Sequence, residues 1–409
     1  MTHTLTARRL ITDIGTVEFP VLTITDGLIA DISSDPQALA HETDTLTAAF
    51  FDIHTHGAMG HDVMHATPAD LSKIQRFLAR HGVAHYLPTT VTAPIDDTLR
   101  ALEALANAIE STPAEHEAQP IGIHLEGPFL SHAKRGVHPS ADLQPPSIAL
   151  FDRFQTAARG HIKLVTIAPE PNATDPATNP GAPGPDSRPR ASIAAETALD
   201  LIHHATSQNV RVSLGHSNAT AAETLPAITA GATSATHTFN AMRSLDHREP
   251  GILGTVLDDD RLYAELICDG IHVAPPLARL WLKAKSATRA ILVTDSMSAA
   301  GMPDGDYTLA GQPVTVANHR AVLSDAPDTL AGSILTLDAA VANLQFFTQA
   351  PLSDATRLAS HNPAALLGLS TLTRLSPNSP ANLNRFNSAN QLTATYIRGT
   401  RVSLAFLPI

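Results

Sequence analysis

The strongest constraint on this chain is a rhythm. Eight short apolar runs, at residues 50–53, 85–88, 121–125, 163–167, 210–214, 234–236, 263–267 and 290–293, are mostly separated by helical or loop stretches. Thr67 and Pro68 open one such helix, Leu71, Ile74, Phe77 and Leu78 give it an apolar face, and Gly82 closes it. Residues 96–110 repeat the pattern with Leu99, Leu102, Leu105 and Ile109. Strands alternating with helices predict a parallel sheet, and eight such units predict an α/β fold of the (β/α)8 TIM-like barrel type. A doubly wound sheet is the other arrangement open to this alternation. No Gly-x-Gly-x-x-Gly follows a strand to support it.

At ~150 residues per domain, 409 residues predict two or three domains, or one large domain plus a small one. Residues 5–33 hold short candidate strands at 21–24 and 28–32, with turn signals at Asp26-Gly27 and Ser33 to Pro36. Residues 392–406 look similar, with candidates at 395–397 and 401–404 around Gly399. The two ends are expected to form one small β-sandwich domain. The expected division is 1–49 (N-terminal part of the small domain), 50–370 (barrel) and 371–409 (C-terminal part). Residues 169–190 are rich in proline and read as a loop or insert.

Composition narrows the partners. Net charge is −12 and no Lys/Arg cluster stands out, which argues against nucleic acid and anionic membranes. No apolar run approaches ~18 residues, so no membrane span is expected. Residues 1–15 lack the apolar core of a signal peptide, which points to the cytoplasm. A single cysteine, Cys268, leaves no intramolecular disulfide and no zinc site built on paired thiolates. Against this stand 21 histidines.

A barrel enzyme places its chemistry at the C-terminal ends of its strands. Here five of those ends carry His54-Thr55-His56, Glu126, His216, His237 and Asp295. His54 and His56 lie on one side of an extended strand because side chains alternate with period two. Each piece alone has a bland reading as a turn, cap or core polar residue. Converging on one axis, imidazoles with a carboxylate suit a divalent transition metal such as Zn2+ or Fe2+, not Ca2+ or Mg2+.

Several segments carry a resemblance. They are residues 52–57, Gly122 to Phe129, Lys134-Arg135-Gly136-Val137-His138, residues 214–217 and Thr236 to Met242. Arg248-Glu249-Pro250-Gly251, Asp269-Gly270-Ile271-His272-Val273, Val293-Thr294-Asp295, Leu330-Ala331-Gly332-Ser333 and residues 360–364 continue the series. Together they resemble the amidohydrolase superfamily and, within it, the N-acetylglucosamine-6-phosphate deacetylases. The likeness runs in order over roughly residues 50–369.

The resemblance implies metal-dependent hydrolysis of the acetamide of N-acetyl-D-glucosamine 6-phosphate to D-glucosamine 6-phosphate and acetate. The N-acetylgalactosamine 6-phosphate reaction, or a cyclic amidase or deaminase activity, is the alternative. It further implies that Glu126, His216 and His237 hold the main ion. His54 and His56 are intact, so a second ion is expected, giving one or two per subunit, Zn2+ first and Fe2+ or another transition metal next. By the same resemblance Asp295 moves protons and His138 donates to the acetyl oxygen. Arg248 and His272 meet the phosphate or sugar, and Val137, Asn240, Ala241, Leu330, Ala331 and Gly332 fix the sugar. The partner is an amino-sugar phosphate, and the enzyme is a homodimer in which Arg248 reaches the neighbouring subunit's site. His61, His65, His203, His204 and Cys268 are given no role, Cys268 being read as a small buried side chain. Residues 376–382 depart from the family's pattern.

Overall fold

The computed structural model describes residues 1–111, 114–171, 173 and 196–402. Eight parallel strands form its centre. They are Phe50–Thr55, Val83–Thr90, Ile123–Glu126, Ile162–Ile167, Arg211–Leu214, Ala232–Ala235, Tyr263–Ile267 and Ala290–Val293. Each pairs in parallel with the next, from the first through to the eighth. The eighth closes on the first through a parallel bridge between Thr55 and Ser296, and through the Asp295 amide, which donates to the His54 carbonyl at 2.8 Å. The result is a nearly closed (β/α)8 barrel, as the alternation predicts. The first, second, third and eighth strands are buried along their whole length. Such burial fits a parallel sheet with both faces covered.

The helices follow their sequence signals. Pro68–Arg80 begins with a capping box in which Thr67 and Asp70 satisfy each other's backbone amides. Leu71, Ile74, Phe77 and Leu78 turn inward, and Gly82, with φ at +87°, reverses the chain into the second strand.

The small domain draws on both ends of the chain, as expected. Thr2–Thr6, Pro20–Thr25 and Leu28–Ser34 make one antiparallel sheet. A second sheet runs in the order Thr400–Arg401, Leu392–Ile397, Leu383–Phe386, Thr45–Ala48, Arg9–Thr12, Gly15–Glu18. Leu10, Leu22, Ile24, Ile29, Leu46, Leu383 and Tyr396 pack together into a core of their own. Asn382 ties this domain to the barrel by donating to His85 Nε2 at 3.1 Å. The proline-rich stretch expected at 169–190 lies, apart from 169–171 and 173, outside the described residues, as do positions 403 and 404 of the last expected strand.

One element has no counterpart among the sequence-based expectations. Gly305–Leu309, Gln312–Ala317, Arg320–Leu323 and Ala326–Leu330 form a four-stranded antiparallel sheet after the eighth strand. Its strands are short and partly exposed, so they lack the apolar runs that betray the barrel strands. No helix among the described residues is long and apolar enough to cross a membrane.

Candidate metal centre and substrate cavity

The strand ends bring the charged groups to one point. Glu126 ends the third strand, His54 lies near the end of the first, and His56 follows it. His216, His237 and Asp295 lie just beyond the fifth, sixth and eighth strands, at φ of +47°, +27° and +49°. Three non-glycine residues in left-handed conformations is a cost that functional sites commonly bear. All six side chains are buried.

Glu126 is the hub. Its Oε1 lies 3.2 Å from His237 Nε2, 3.3 Å from His216 Nε2 and 3.5 Å from His54 Nε2. Its Oε2 lies 3.3 Å from His56 Nε2. Asp295 Oδ1 sits 3.1 Å from His56 Nε2 and 3.4 Å from His54 Nε2. The two imidazole pairs approach closely, His54 to His56 at 3.3 Å and His216 to His237 at 3.0 Å between Nε2 atoms.

Electrostatics express the same crowding. Burial pushes a carboxyl up, yet the His54 and His56 rings beside Asp295 hold it well below the usual carboxylate range. Glu126 is likewise held low against burial, by the His54 ring first and then by the His216 and His237 rings beside it. Burial would lower the His56 ring, but Asp295 and Glu126 raise it to about 9. Glu126 and Asp295 raise His54 in the same way. Two carboxylates are drawing positive charge into a dry pocket, and a divalent cation can supply that charge in place of protons.

The outer ring nitrogens of His54, His56 and His216 fix which way these rings face. His56 Nδ1 faces the Thr89 carbonyl at 2.9 Å, His216 Nδ1 the Lys134 carbonyl at 2.8 Å, and His54 Nδ1 the Glu265 carboxylate at 3.2 Å. A carbonyl or carboxylate only accepts, so each of these Nδ1 atoms donates its hydrogen and each Nε2 keeps a lone pair toward the centre. That is the tautomer of a metal-ligating histidine. The Glu126 Oε1 atom is buried without a hydrogen bond, as a ligand atom would be. The residues fit a divalent transition metal. By proximity they divide into His54, His56 and Asp295 on one side, and Glu126 with His216 on the other.

His138 is close enough to join the second group but differs chemically. Its Nδ1 accepts the Thr92 amide at 3.2 Å, and its Nε2 lies 3.6 Å from Glu126 Oε2. Burial holds the ring well below the usual histidine range, so it is neutral. Its one hydrogen is on Nε2, which makes it a donor and not a ligand. Gly127 makes room for this contact, because a Cβ there would lie 2.1 Å from Thr92 Oγ1.

Above the cluster opens a cavity of about 340 Å3. Val137, His138, Asn240, Ala241, His272, Leu330 and Gly332 line it, together with His56, Glu126, His216, His237 and Asp295. His272 Nδ1 is bound by Asp269 Oδ2 at 2.6 Å. Two further expected residues stand apart: Ala331 is fully buried behind the lining, and Arg248 is exposed on the loop after the sixth strand. Larger hollows of about 710, 490 and 450 Å3 lie elsewhere, and none of them is lined by any of the six clustered residues. The sequence-based expectations did not include Glu265, Thr92 or the wall formed by Leu309 and Asp328 of the four-stranded sheet. For Glu265 the signal was available, a carboxylate inside an otherwise apolar strand. Cys268 is buried, and burial pushes its thiol up to about 12.

The amidohydrolase family profile matches residues 45–402. The chain is 38% identical to an N-acetylgalactosamine-6-phosphate deacetylase of Escherichia coli O157:H7 over 98% of its own length and 100% of the relative's. It is 36% identical to an N-acetylglucosamine-6-phosphate deacetylase of Bacillus subtilis (strain 168), covering 85% of this chain and 83% of the relative. A mutant N-acetyl-D-glucosamine-6-phosphate deacetylase of Mycobacterium smegmatis, solved with N-acetyl-D-glucosamine-6-phosphate, superposes with a TM-score of 0.85. That structure is 30% identical and covers 98% of this chain and 99% of its own.

Proposed function

This chain belongs to the amidohydrolase family, and from that premise we propose that it hydrolyses the acetamide of N-acetyl-D-glucosamine 6-phosphate to D-glucosamine 6-phosphate and acetate. The observation that carries the reading is the buried convergence of four imidazoles and two carboxylates beneath a cavity walled by a neutral histidine donor. Glu126, His216 and His237 would hold the main ion, and His54 and His56 a second, with Zn2+ the first choice. Such an ion supplies electrophilic polarisation and lowers the pKa of water from 15.7 to about 7.

The chain's own groups do the rest. Asp295, poor in protons, takes one from the attacking water and returns it to the amine nitrogen as the carbon–nitrogen bond breaks. That return is needed because an amide anion does not leave unprotonated. His138 Nε2–H donates to the acetyl oxygen as negative charge develops there. His272, oriented by Asp269, presents its other nitrogen to the phosphate or a sugar hydroxyl. Val137, Asn240, Ala241, Leu330 and Gly332 shape the sugar's seat, with Ala331 behind them. Arg248 lies outside its own cavity lining, which supports a homodimer in which it completes the neighbour's site as a bidentate phosphate contact. We assign 1–49 and 371–409 to the small domain and 50–370 to the barrel. A sugar phosphate is retained by membranes, so the compartment expected is the cytoplasm.

A second reading has its own support. The relative matched over its full length acts, by its name, on N-acetylgalactosamine 6-phosphate. The experiment is acetate release from the two C4-epimeric hexosamine phosphates. Higher kcat/KM on the gluco epimer supports the proposal, higher kcat/KM on the galacto epimer selects the second reading, and release from neither refutes both.

A further inference from the structure

Glu265 occupies the middle of the seventh strand, Tyr263–Ile267, and has no solvent exposure. One oxygen, Oε2, accepts two hydrogens: from His54 Nδ1 at 3.2 Å and from the His237 amide at 3.1 Å. The other, Oε1, is buried without a hydrogen bond. A carboxylate taken out of water is costly unless positive charge balances it. Neither donor carries a full charge when His54 is neutral. If the strand needed only an acceptor for the His237 amide, an uncharged side chain would serve at lower cost.

The two contacts reach different parts of the centre. His54 belongs to the group with His56 and Asp295, and its Nε2 faces them at 3.3 and 3.4 Å. His237 approaches Glu126 and His216 at 3.2 and 3.0 Å. Its backbone sits at φ +27°, a conformation that needs an external hold. One oxygen therefore sets the ring of a residue in one group and the peptide of a residue in the other.

We infer that Glu265 is a positioning residue that couples the two ion sites, locking His54 with its Nε2 lone pair inward and clamping the His237 peptide, while the bound cations balance its buried charge. This inference rests on the metal reading above. It follows the general pattern in which a carboxylate behind a ligating histidine orients the ring and makes it a stronger base.

The test is Glu265→Gln, which keeps the shape and one acceptor oxygen but removes the charge. Metal-free native and variant protein are titrated with Zn2+ against a competing chelator, and with Co2+ followed by its visible absorption. Native protein is expected to bind two equivalents. In the variant the weaker equivalent should lose 10–100-fold in affinity, the tighter one should lose less, and the Co2+ spectrum of the weaker site should change. Stabilisation by saturating Zn2+, read as the rise in Tm over the same protein without metal, should be smaller in the variant than in native protein. On a His54→Asn background, where the ring it orients is gone, adding Glu265→Gln should weaken metal binding at the His56–Asp295 side no further. Unchanged affinities and spectra in the variant would overturn the inference. So would a metal-free variant that loses as much Tm as the loaded one, or fails to fold, since the role is then structural. Uptake of one equivalent by native protein removes the coupling but leaves the metal reading intact, and uptake of none removes both.

Discussion

The Nδ1 atom of His138 accepts the Thr92 peptide N–H at 3.2 Å, so this ring alone among the histidines facing Glu126 has a fixed inward hydrogen. His138→Ala should therefore lower kcat by roughly 10²–10³, the range for removing one donor to a developing oxyanion. Its metal content should match native. Loss of an equivalent of metal, measured by elemental analysis, would make His138 a ligand instead.

Asp295 is held ionised by its imidazole neighbours and faces the cavity. Asp295→Asn should retain the fold and the ion at Glu126 but lose roughly 10²–10⁴ in kcat. Near-native kcat in a fully loaded variant would place the proton transfer on another group.

Arg248 is exposed, and its backbone is held by its own amide donating to Asp246 Oδ1 at 2.9 Å. A charge-assisted bond to phosphate contributes ~1.5–3 kcal/mol, so Arg248→Ala should cost about 10–100-fold in kcat/KM. The loss should fall on KM, because the phosphate is held alike in ground and transition states. Mixing Arg248→Ala with Asp295→Asn subunits should restore activity, since a mixed dimer regains one site with both groups native. Proven exchange without recovery would contradict the shared site.

His85 carries a pH prediction for stability. Burial pushes it down to about 4, and its hydrogen-bond partner among the described residues is Asn382 of the small domain. In the unfolded chain the ring takes a proton near pH 6.5. The unfolded state therefore binds more protons between these values, and the stability that neutral His85 contributes is lost as pH falls from about 6.5 to about 4. The full loss is about 3 kcal/mol, from 1.36 kcal/mol per pH unit. His361, also pushed down to about 4 by burial, acts in the same sense. Asp52, pushed up to about 6 by burial, acts in the opposite one. The comparison of native with His85→Gln isolates the ring: the drop in Tm between pH 7 and pH 5 should be smaller in the variant. Equal drops would remove His85 from the acid response.

Much of the site was legible because a parallel barrel aligns its strand ends. His54, His56, Glu126, His216, His237 and Asp295 all sit at or just past the end of an apolar run, where the chain can be searched without coordinates. The features that escaped depend on contacts distant in sequence. The donor character of His138 is set by the Thr92 peptide, 46 positions away, and by the missing Cβ of Gly127. Glu265 lies within a run read for its apolar residues, and its partner His54 is 211 positions away. The sheet from Gly305 to Leu330 escaped because a half-exposed strand of four to six residues carries too few apolar positions to show a period. Arg248 was found from its motif alone, and its exposure in a single chain is information that only the fold supplies.

The most direct test of the central claim is acetate release from N-acetyl-D-glucosamine 6-phosphate by protein stripped of metal and then reloaded with Zn2+. The convergence of Glu126, His216 and His237 predicts no release above background from the stripped protein and recovery on reloading, with Glu126→Gln unable to recover. Full activity in rigorously metal-free protein would contradict the account.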